Sequence, residues 1–449
     1  MSEPLLAHTE LDRELGDQLG ARRWYVGFSG GVDSTVLLHL LHRWSAANPG
    51  APPLTAIHVN HGMQEAADDW QLHCGRICKK LQVPLICRRV FVDAGPVGAE
   101  AAAREARYRV FEETLSPGDV LYLAHHLDDQ VETFFLRLLR GAGVQGLAAI
   151  PARRALGSGR LVRPLLQVTR SRLAAYAGRH RLQCVEDPSN EDPSLDRSFL
   201  RQEVLPLVSG RWPGYRHTVA RASEHMAIAA RTLRELLPAP DTRYSAMGDP
   251  GVAVTELEPA DVGAVKLRAW LQGLGLQAPD RASMEEFLRQ LRESGPGARP
   301  RLQCSTFALQ CYRGSVYLLP EPSGPMSRVA LAPGEVLELP GVGRVSLEPV
   351  ACRGLVLDDC GALTLGWRQG GERCRPAGSA RRRSLKKCLQ EADVPPWWRD
   401  RVPLLYLGEQ LLAVGDLWLC DSDRYRERAV GNETLWRLSW ERKMGPAFD

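Results

Sequence analysis

Trp24-Tyr25-Val26-Gly27-Phe28-Ser29-Gly30-Gly31-Val32-Asp33-Ser34-Thr35-Val36-Leu37-Leu38 is the stretch that decides the fold. It opens with an apolar run that reads as a buried strand. A Ser-Gly-Gly turn ends the strand, and Asp33 and Ser34 lead into an apolar helix, Thr35 to Leu41. Such a strand–turn–helix unit builds an anion site. The first N–H groups of a helix have no intrahelical partner, and the helix dipole favours negative charge there. Gly30 and Gly31 let the backbone approach a ligand closely, and Ser29 and Ser34 add hydroxyl donors. Asp33 would repel a phosphate unless a cation lay between them, which points to a Mg²⁺ contact. The plainer alternative is a capped helix, because Asp and Ser are common N-caps. The loop is not of the Gly-x4-Gly-Lys-Ser/Thr type, since no lysine is present.

Outward from this loop, strands and helices alternate. Residues 1–23 read as a short helix with a basic exit. Leu54 to Asn60 reads as a strand running into His61-Gly62, Asp68 to Gln82 as a helix, and Pro84 to Val92 as a strand. Ala99 to Leu115 is helical, and Val120 to Ala124 is a strand leading into His125-His126. This pattern predicts an α/β unit with a Rossmann-like, mostly parallel sheet. Ligands bind beyond the carboxyl ends of such strands, so Ser29, Asn60-His61 and His125-His126 are expected along one edge.

The segment His125-His126-Leu127-Asp128-Asp129-Gln130-Val131-Glu132-Thr133 is the second informative constellation. If Asp129 starts the helix, Glu132 lies one turn on, on the same face. Such carboxylates beside a phosphate loop can hold Mg²⁺ or position an amine. Equally, Asp129 can be an N-cap and Glu132 its capping-box partner.

Composition bounds the rest. The chain has 449 residues, 44% hydrophobic and 24% charged, as expected for a soluble protein of two to four domains. No apolar run is long enough to span a membrane, and no signal pattern opens the chain, so no membrane partner is expected and a cytoplasmic location is. The 11 cysteines are scattered and read as reduced thiols. Net charge is only +4, but Thr133 to Val185 contains ten arginines and no acid. A second basic run holds Arg373, Arg375, Arg381, Arg382, Arg383, Lys386 and Lys387. Such clusters are the footprint of a polyanion, or simply a solvated face.

Proline- and glycine-rich stretches divide the remainder. A helix from Tyr215 to Leu237 precedes a linker, Pro238 to Gly251; two helices within Leu257 to Glu293 and a hairpin across Arg313-Gly314 follow. After a second linker, Pro320 to Pro333, come short strands near Gly343–Val350, Leu363–Trp367, Leu404–Leu407 and Leu411–Val414, with a helix from Ser384 to Ala392. Three domains are expected: residues 1–215 catalytic, 216–325 a small α+β central domain and 326–449 a small α+β C-terminal domain. Trp397 and Trp398 are read as packing the C-terminal helix on its sheet, with stacking on RNA as the alternative.

The Ser29–Ser34 loop resembles the pyrophosphate (PP) loop of the N-type ATP pyrophosphatases, which cleave ATP between the α and β phosphates. The ordered set His58-Val59-Asn60-His61-Gly62, Arg104-Glu105-Ala106-Arg107-Tyr108, His125 through Thr133, Arg140-Gly141-Ala142-Gly143, Arg163-Pro164-Leu165-Leu166 and Asp187-Pro188-Ser189-Asn190 through Arg201 is similar to the tRNA(Ile)-lysidine synthase family. So is Gly370-Gly371-Glu372-Arg373 through Lys386-Lys387 and Pro395-Pro396-Trp397. The resemblance implies an ATP-dependent ligase that joins free L-lysine to C2 of the wobble cytidine of tRNA(Ile) with a CAU anticodon. It implies that Ser29, Gly30, Gly31, Val32, Asp33 and Ser34 bind ATP, and that Asp33 and Asp129 hold Mg²⁺. Asp33, His125, Asp129, Glu132 and Arg107 would serve the reaction, and Arg197 or Arg201 the nucleotide or target base. Arg381, Arg382, Lys386 and Lys387 would hold RNA, and the central domain would help. Arg107 can also be a solvated helix residue, and Arg197 can pair with Glu186 or Asp187. Gly141 to Gly146 reads either as a mobile cover or as a helix cap. Oligomeric state is left open, a homodimer included. A tRNA thiolase is the first rival, but no Cys-x-x-Cys pair is present. A non-catalytic RNA-binding module is the second.

Overall fold

The computed structural model describes residues 6–62, 66–91, 99–185, 195–295, 297–320, 327–357 and 361–442. The chain forms two compact units, Met1–Leu233 and Arg234–Asp449.

In the first unit, β1 (Trp24–Gly27) pairs in parallel with β2 (Leu54–Asn60) on one side and β4 (Val120–Tyr122) on the other. β3 (Leu85–Arg89) extends the β2 edge. Beyond β4 lies a hairpin of β5 (Arg153–Leu156) and β6 (Gly159–Val162), giving the order β3-β2-β1-β4-β6-β5. The central strands are apolar on both faces because helices cover both. Trp24 and Val26 pack towards the helix Val32–Ala47, while Tyr25 faces Phe111, Leu121 and Leu123. Gly27 permits this second contact: a Cβ there would sit 2.5 Å from Leu123 Cδ2. The β5–β6 hairpin was not expected. Its arginines disguise a short antiparallel edge, with Leu161 and Val162 buried and Arg153 and Arg154 exposed.

Three further departures concern the site. The helix expected to start at Asp129 runs Leu127–Leu139, because His126 caps it: Asp129 N donates to His126 Nδ1 (3.4 Å) and His126 N donates to Asp129 Oδ2 (3.0 Å). Asp129 is therefore the third helical residue, not the cap. The segment Asp196–Arg211 is not one regular helix: it is α-helical over Asp196–Phe199 and Leu205–Arg211, with a π turn, Leu200–Val204, between. The helix Tyr215–Leu236 packs on the first unit rather than opening the central domain. Tyr215 is buried with Val131, Leu200 and Leu205; Gln130 Nε2 donates to Ser223 Oγ (3.1 Å) and Arg216 pairs with Asp128 (2.6 Å). At Gly141 (φ +73°) the helix Leu127–Leu139 is closed by backbone bonds from Gly141 N and Ala142 N to Leu138 O and Arg137 O, as expected of a cap. The turn-forming run Asp187-Pro188-Ser189-Asn190-Glu191-Asp192-Pro193 lies outside the described residues.

The second unit holds a five-stranded antiparallel sheet on which the helices Ala260–Gly273 and Arg281–Glu293 pack through Trp270, Phe287 and Leu288. The expected hairpin crosses Arg313-Gly314, both at positive φ, the geometry of a two-residue turn. Pro238–Gly251 is not a plain linker. It carries the strand Arg243–Tyr244 and begins the strand Pro250–Ala253, and its Asp249 is buried, accepting from Trp397 Nε1 (3.0 Å) and Trp398 Nε1 (2.7 Å). Among the described residues the unit also holds two more five-stranded sheets, a two-stranded one (Arg373–Cys374 with Arg383–Ser384) and the helix Leu385–Glu391. Trp398 is fully buried there, so it packs rather than stacks on a ligand.

Candidate active site

Where β1 and β4 lead out in different directions, a cavity of about 730 Å³ opens beyond their carboxyl ends. Ser29, Gly31, Val32, Asp33 and Ser34 line one side, and His125 and Asp129 another. Arg104, Arg107 and Tyr108 reach it from the helix Ala99–Thr114, and Arg201 from the π turn.

The loop is held by its own short bonds. Ser29 N donates to Ser34 Oγ (3.2 Å), Ser34 Oγ donates to Gly31 O (3.1 Å), and Thr35 Oγ1 donates to Gly30 O (3.1 Å). Gly31 is the N-cap of Val32–Ala47 and offers no side-chain cap, so the first N–H groups of that helix remain for a ligand. Gly30 has φ +89°, and a Cβ there would lie 3.1 Å from Cys74 Sγ. Gly30 thus shapes the loop from behind and does not line the cavity.

The two expected metal carboxylates converge on one imidazole. His126 Nε2 lies 3.6 Å from Asp33 Oδ2 and 3.6 Å from Asp129 Oδ2. Burial alone would lower the His126 pKa, but Asp33, Asp129 and Asp128 together raise it. Burial would likewise raise Asp129, yet the charge of His126 brings it below its ordinary value. Asp33 Oδ1 is buried with no hydrogen-bond partner. Among the described residues no group of three His, Cys, Asp or Glu forms a closed metal cage. Two carboxylates with an unsatisfied oxygen therefore suit an ion that takes its other ligands from phosphate and water, as Mg²⁺ does.

His125 lines the cavity and takes a hydrogen bond at Nδ1 from Arg163 Nε (3.1 Å). Burial first, then Arg163, Arg104 and Arg197, lower its pKa to about 3 against the opposing pull of Asp129. His61, expected at the same edge, is also on the wall; burial and Arg107 lower its pKa to about 4.

Glu132 is not on the wall. It is 1% exposed and bridges two guanidiniums, Arg201 Nε at 2.7 Å and Arg197 Nε at 3.1 Å. Arg197 also donates to Thr133 Oγ1 (3.1 Å), so its described partners are Glu132 and Thr133; Glu186 and Asp187 lie outside the described residues. Of the two arginines, Arg201 faces the cavity and Arg197 stands behind it. Arg381, Arg382, Lys386 and Lys387 are exposed on the second unit. Sequence reasoning passed over His126 and Arg163 as functional. The signal for His126 was available, since a residue just before an acidic first turn is a cap position. Arg163 left none beyond its place in Arg-Pro-Leu-Leu.

The chain matches three family models: a PP-loop domain over residues 6–208, a TilS substrate binding domain over 262–317 and a TilS substrate C-terminal domain over 363–440. It is 42% identical over 433 residues to a Pseudomonas aeruginosa protein named tRNA(Ile)-lysidine synthase, covering 93% of each chain. Proteins of the same name from Coxiella burnetii (37% over 428 residues, 92% of each chain) and Escherichia coli O157:H7 (39% over 427 residues, 90% of this chain and 93% of that one) are also similar.

Proposed function

The chain belongs to the tRNA(Ile)-lysidine synthase family, and from that premise we propose that it joins free lysine to the wobble cytidine of a CAU-anticodon tRNA(Ile) at the expense of ATP. The cytosine C2 oxygen attacks the α-phosphate of ATP, and pyrophosphate leaves. The ε-amine of lysine then attacks C2, AMP leaves, and the base becomes lysidine, which reads isoleucine rather than methionine codons.

One observation carries the reading of the site. A glycine loop with free helix N–H groups, two carboxylates held by one histidine, and four arginines (Arg104, Arg107, Arg170 and Arg201) meet in a single cavity. The loop binds the phosphates. Asp33 and Asp129 would hold Mg²⁺, which supplies charge neutralisation on the phosphates when bound. Arg107 and Arg201 stabilise negative charge as it moves to the leaving group. Glu132 acts through Arg201 and Arg197, as a positioning residue. The exposed run Arg381, Arg382, Lys386 and Lys387 contacts the RNA backbone. A tRNA substrate also makes the cytoplasm the expected location.

The thiolase alternative is weakened by the cysteines. Cys74, behind Gly30, is buried, and its thiol is pushed up to about 12, far from a thiolate nucleophile at neutral pH. The deciding experiment supplies Mg²⁺-ATP, labelled lysine and CAU-anticodon tRNA(Ile). Label in the tRNA with stoichiometric AMP is expected; retained RNA binding with no turnover would overturn the proposal. Asp33→Ala is expected to lower pyrophosphate release by about 10²-fold or more while tRNA still binds.

A further inference from the structure

The mechanism above leaves the role of His125 open, and the residue behind it closes the question. Arg163 is 4% exposed, although a guanidinium is among the groups most costly to bury. Each of its three nitrogens donates a hydrogen bond: Nη1 to Pro151 O (2.7 Å), Nη2 to Tyr108 Oη (3.2 Å) and Nε to His125 Nδ1 (3.1 Å). A guanidinium has donors only and keeps its proton at every working pH. His125 Nδ1 must therefore accept, and cannot carry a proton. The neutral ring then holds its proton on Nε2, the one polar atom left to the side of the residue that lines the cavity.

We infer that Arg163 is a positioning residue that holds His125 in its Nε2–H form, so that His125 meets the reactants as a hydrogen-bond donor to an anionic oxygen and not as a base. This rests on the reading of the site given above. Most of the charged groups around the ring agree with it. Arg104 from the helix Ala99–Thr114, Arg163 after β6 and Arg197 from Asp196–Phe199 all oppose a second proton, and only Asp129 favours one. A neutral imidazole donor beside arginines polarises an oxygen without competing for its proton. The oxygens that gain charge in the proposed reaction are those of the α-phosphate and of the departing AMP. The wall arginines Arg104, Arg107, Arg170 and Arg201 with a donor histidine suit them better than they suit the lysine amine, which needs an acceptor.

The test is a histidine side-chain ¹⁵N–¹H spectrum of the full chain, with His125 assigned by its loss in His125→Asn. The wild type is expected to show protonated Nε2 and unprotonated Nδ1. In Arg163→Met the Nδ1–H form should appear, and pyrophosphate release should fall by about 10²-fold, the scale of one lost donor. Arg163→Lys, which keeps a cationic donor, should restore the wild-type form in part. His125→Asn, which can still donate, should lose less activity than His125→Ala. A protonated Nδ1 in the wild type overturns the inference, as does equal loss in His125→Asn and His125→Ala. Both readouts remain should Arg163→Met fail to fold. If the wild type releases no pyrophosphate with any tRNA, the reading of the site fails, while the spectrum still tests the histidine.

Discussion

Removing Glu132 separates a residue that touches substrate from one that holds the residues that do. Its carboxylate is buried and pairs with two arginines at once. Breaking a buried pair by deleting one partner costs about 3–5 kcal/mol. Here the arginine side chains are 37% and 28% exposed and can turn towards water, which brings the expected cost for Glu132→Ala to about 2–3 kcal/mol. A unit of this size loses about 2–4 °C of melting temperature per kcal/mol, so the transition should fall by about 5–10 °C. Calorimetry of the full chain measures this, the relevant transition being the one that ATP raises. Glu132→Gln, which keeps an acceptor but no charge, should fall between. Arg201→Ala combined with Glu132→Ala should be non-additive by about 1–3 kcal/mol. Arg201 loses its anchor in Glu132→Ala, so kcat should also fall there, by about tenfold or more. An unchanged transition with additive effects, together with a raised KM for lysine alone, would refute the reasoning and return Glu132 to direct substrate contact.

Other consequences are as direct. Gly30→Ala puts a Cβ at φ +89° and 3.1 Å from Cys74 Sγ; about 1–3 kcal/mol of strain should displace the loop and raise the KM for ATP in steady-state kinetics. His39, which meets Tyr176 Oη at 2.9 Å, is lowered from 6.5 to about 4, first by burial and then by His180, Arg43 and His42. On acidification the unfolded chain takes up this proton first, so the stability contribution is whole above pH 6.5 and is lost between 6.5 and about 4. Urea midpoints across that window should fall by the equivalent of about 1–2 kcal/mol, and His39→Gln should flatten the trend. Neutralising Arg381, Arg382, Lys386 and Lys387 together should reduce the slope of log Kd against log salt for tRNA by about 3, leaving pyrophosphate release from saturating tRNA unchanged.

The nucleotide unit was legible where local chemistry and tertiary need agree. Continuous apolar strands ending in polar residues announce a doubly covered parallel sheet, and β1, β2 and β4 with their ends lie where that pattern puts them. The β5–β6 hairpin was hidden because an exposed antiparallel edge tolerates arginines, and its Arg153 and Arg154 read as an RNA footprint instead. Spacing placed Asp129 and Glu132 on one helix, but not that only one reaches the cavity. The difference depends on where the helix Leu127–Leu139 starts, and therefore on His126 as its cap. Arg163 was unreadable for a different reason: its partners, Tyr108, His125 and Pro151, come from three separate segments, and no local pattern encodes such a meeting. The same holds for Asp249, whose tryptophan partners lie far along the chain.

The strand order also governs when the unit can fold. β1, β2 and β3 pair with near neighbours in sequence, so this half of the sheet can assemble early in synthesis. Trp24, however, waits for Val120, and β4 in turn waits for Arg160. Long-range parallel pairings are the slow ones, because chain entropy is spent before contacts return it. Until then the nascent chain carries an open β1 edge, an invitation to wrong partners. The crevice that receives ATP lies on that same seam. Nucleotide binding is thus a late event in the life of the chain, and ATP in the surrounding medium would trap the finished sheet rather than guide its assembly.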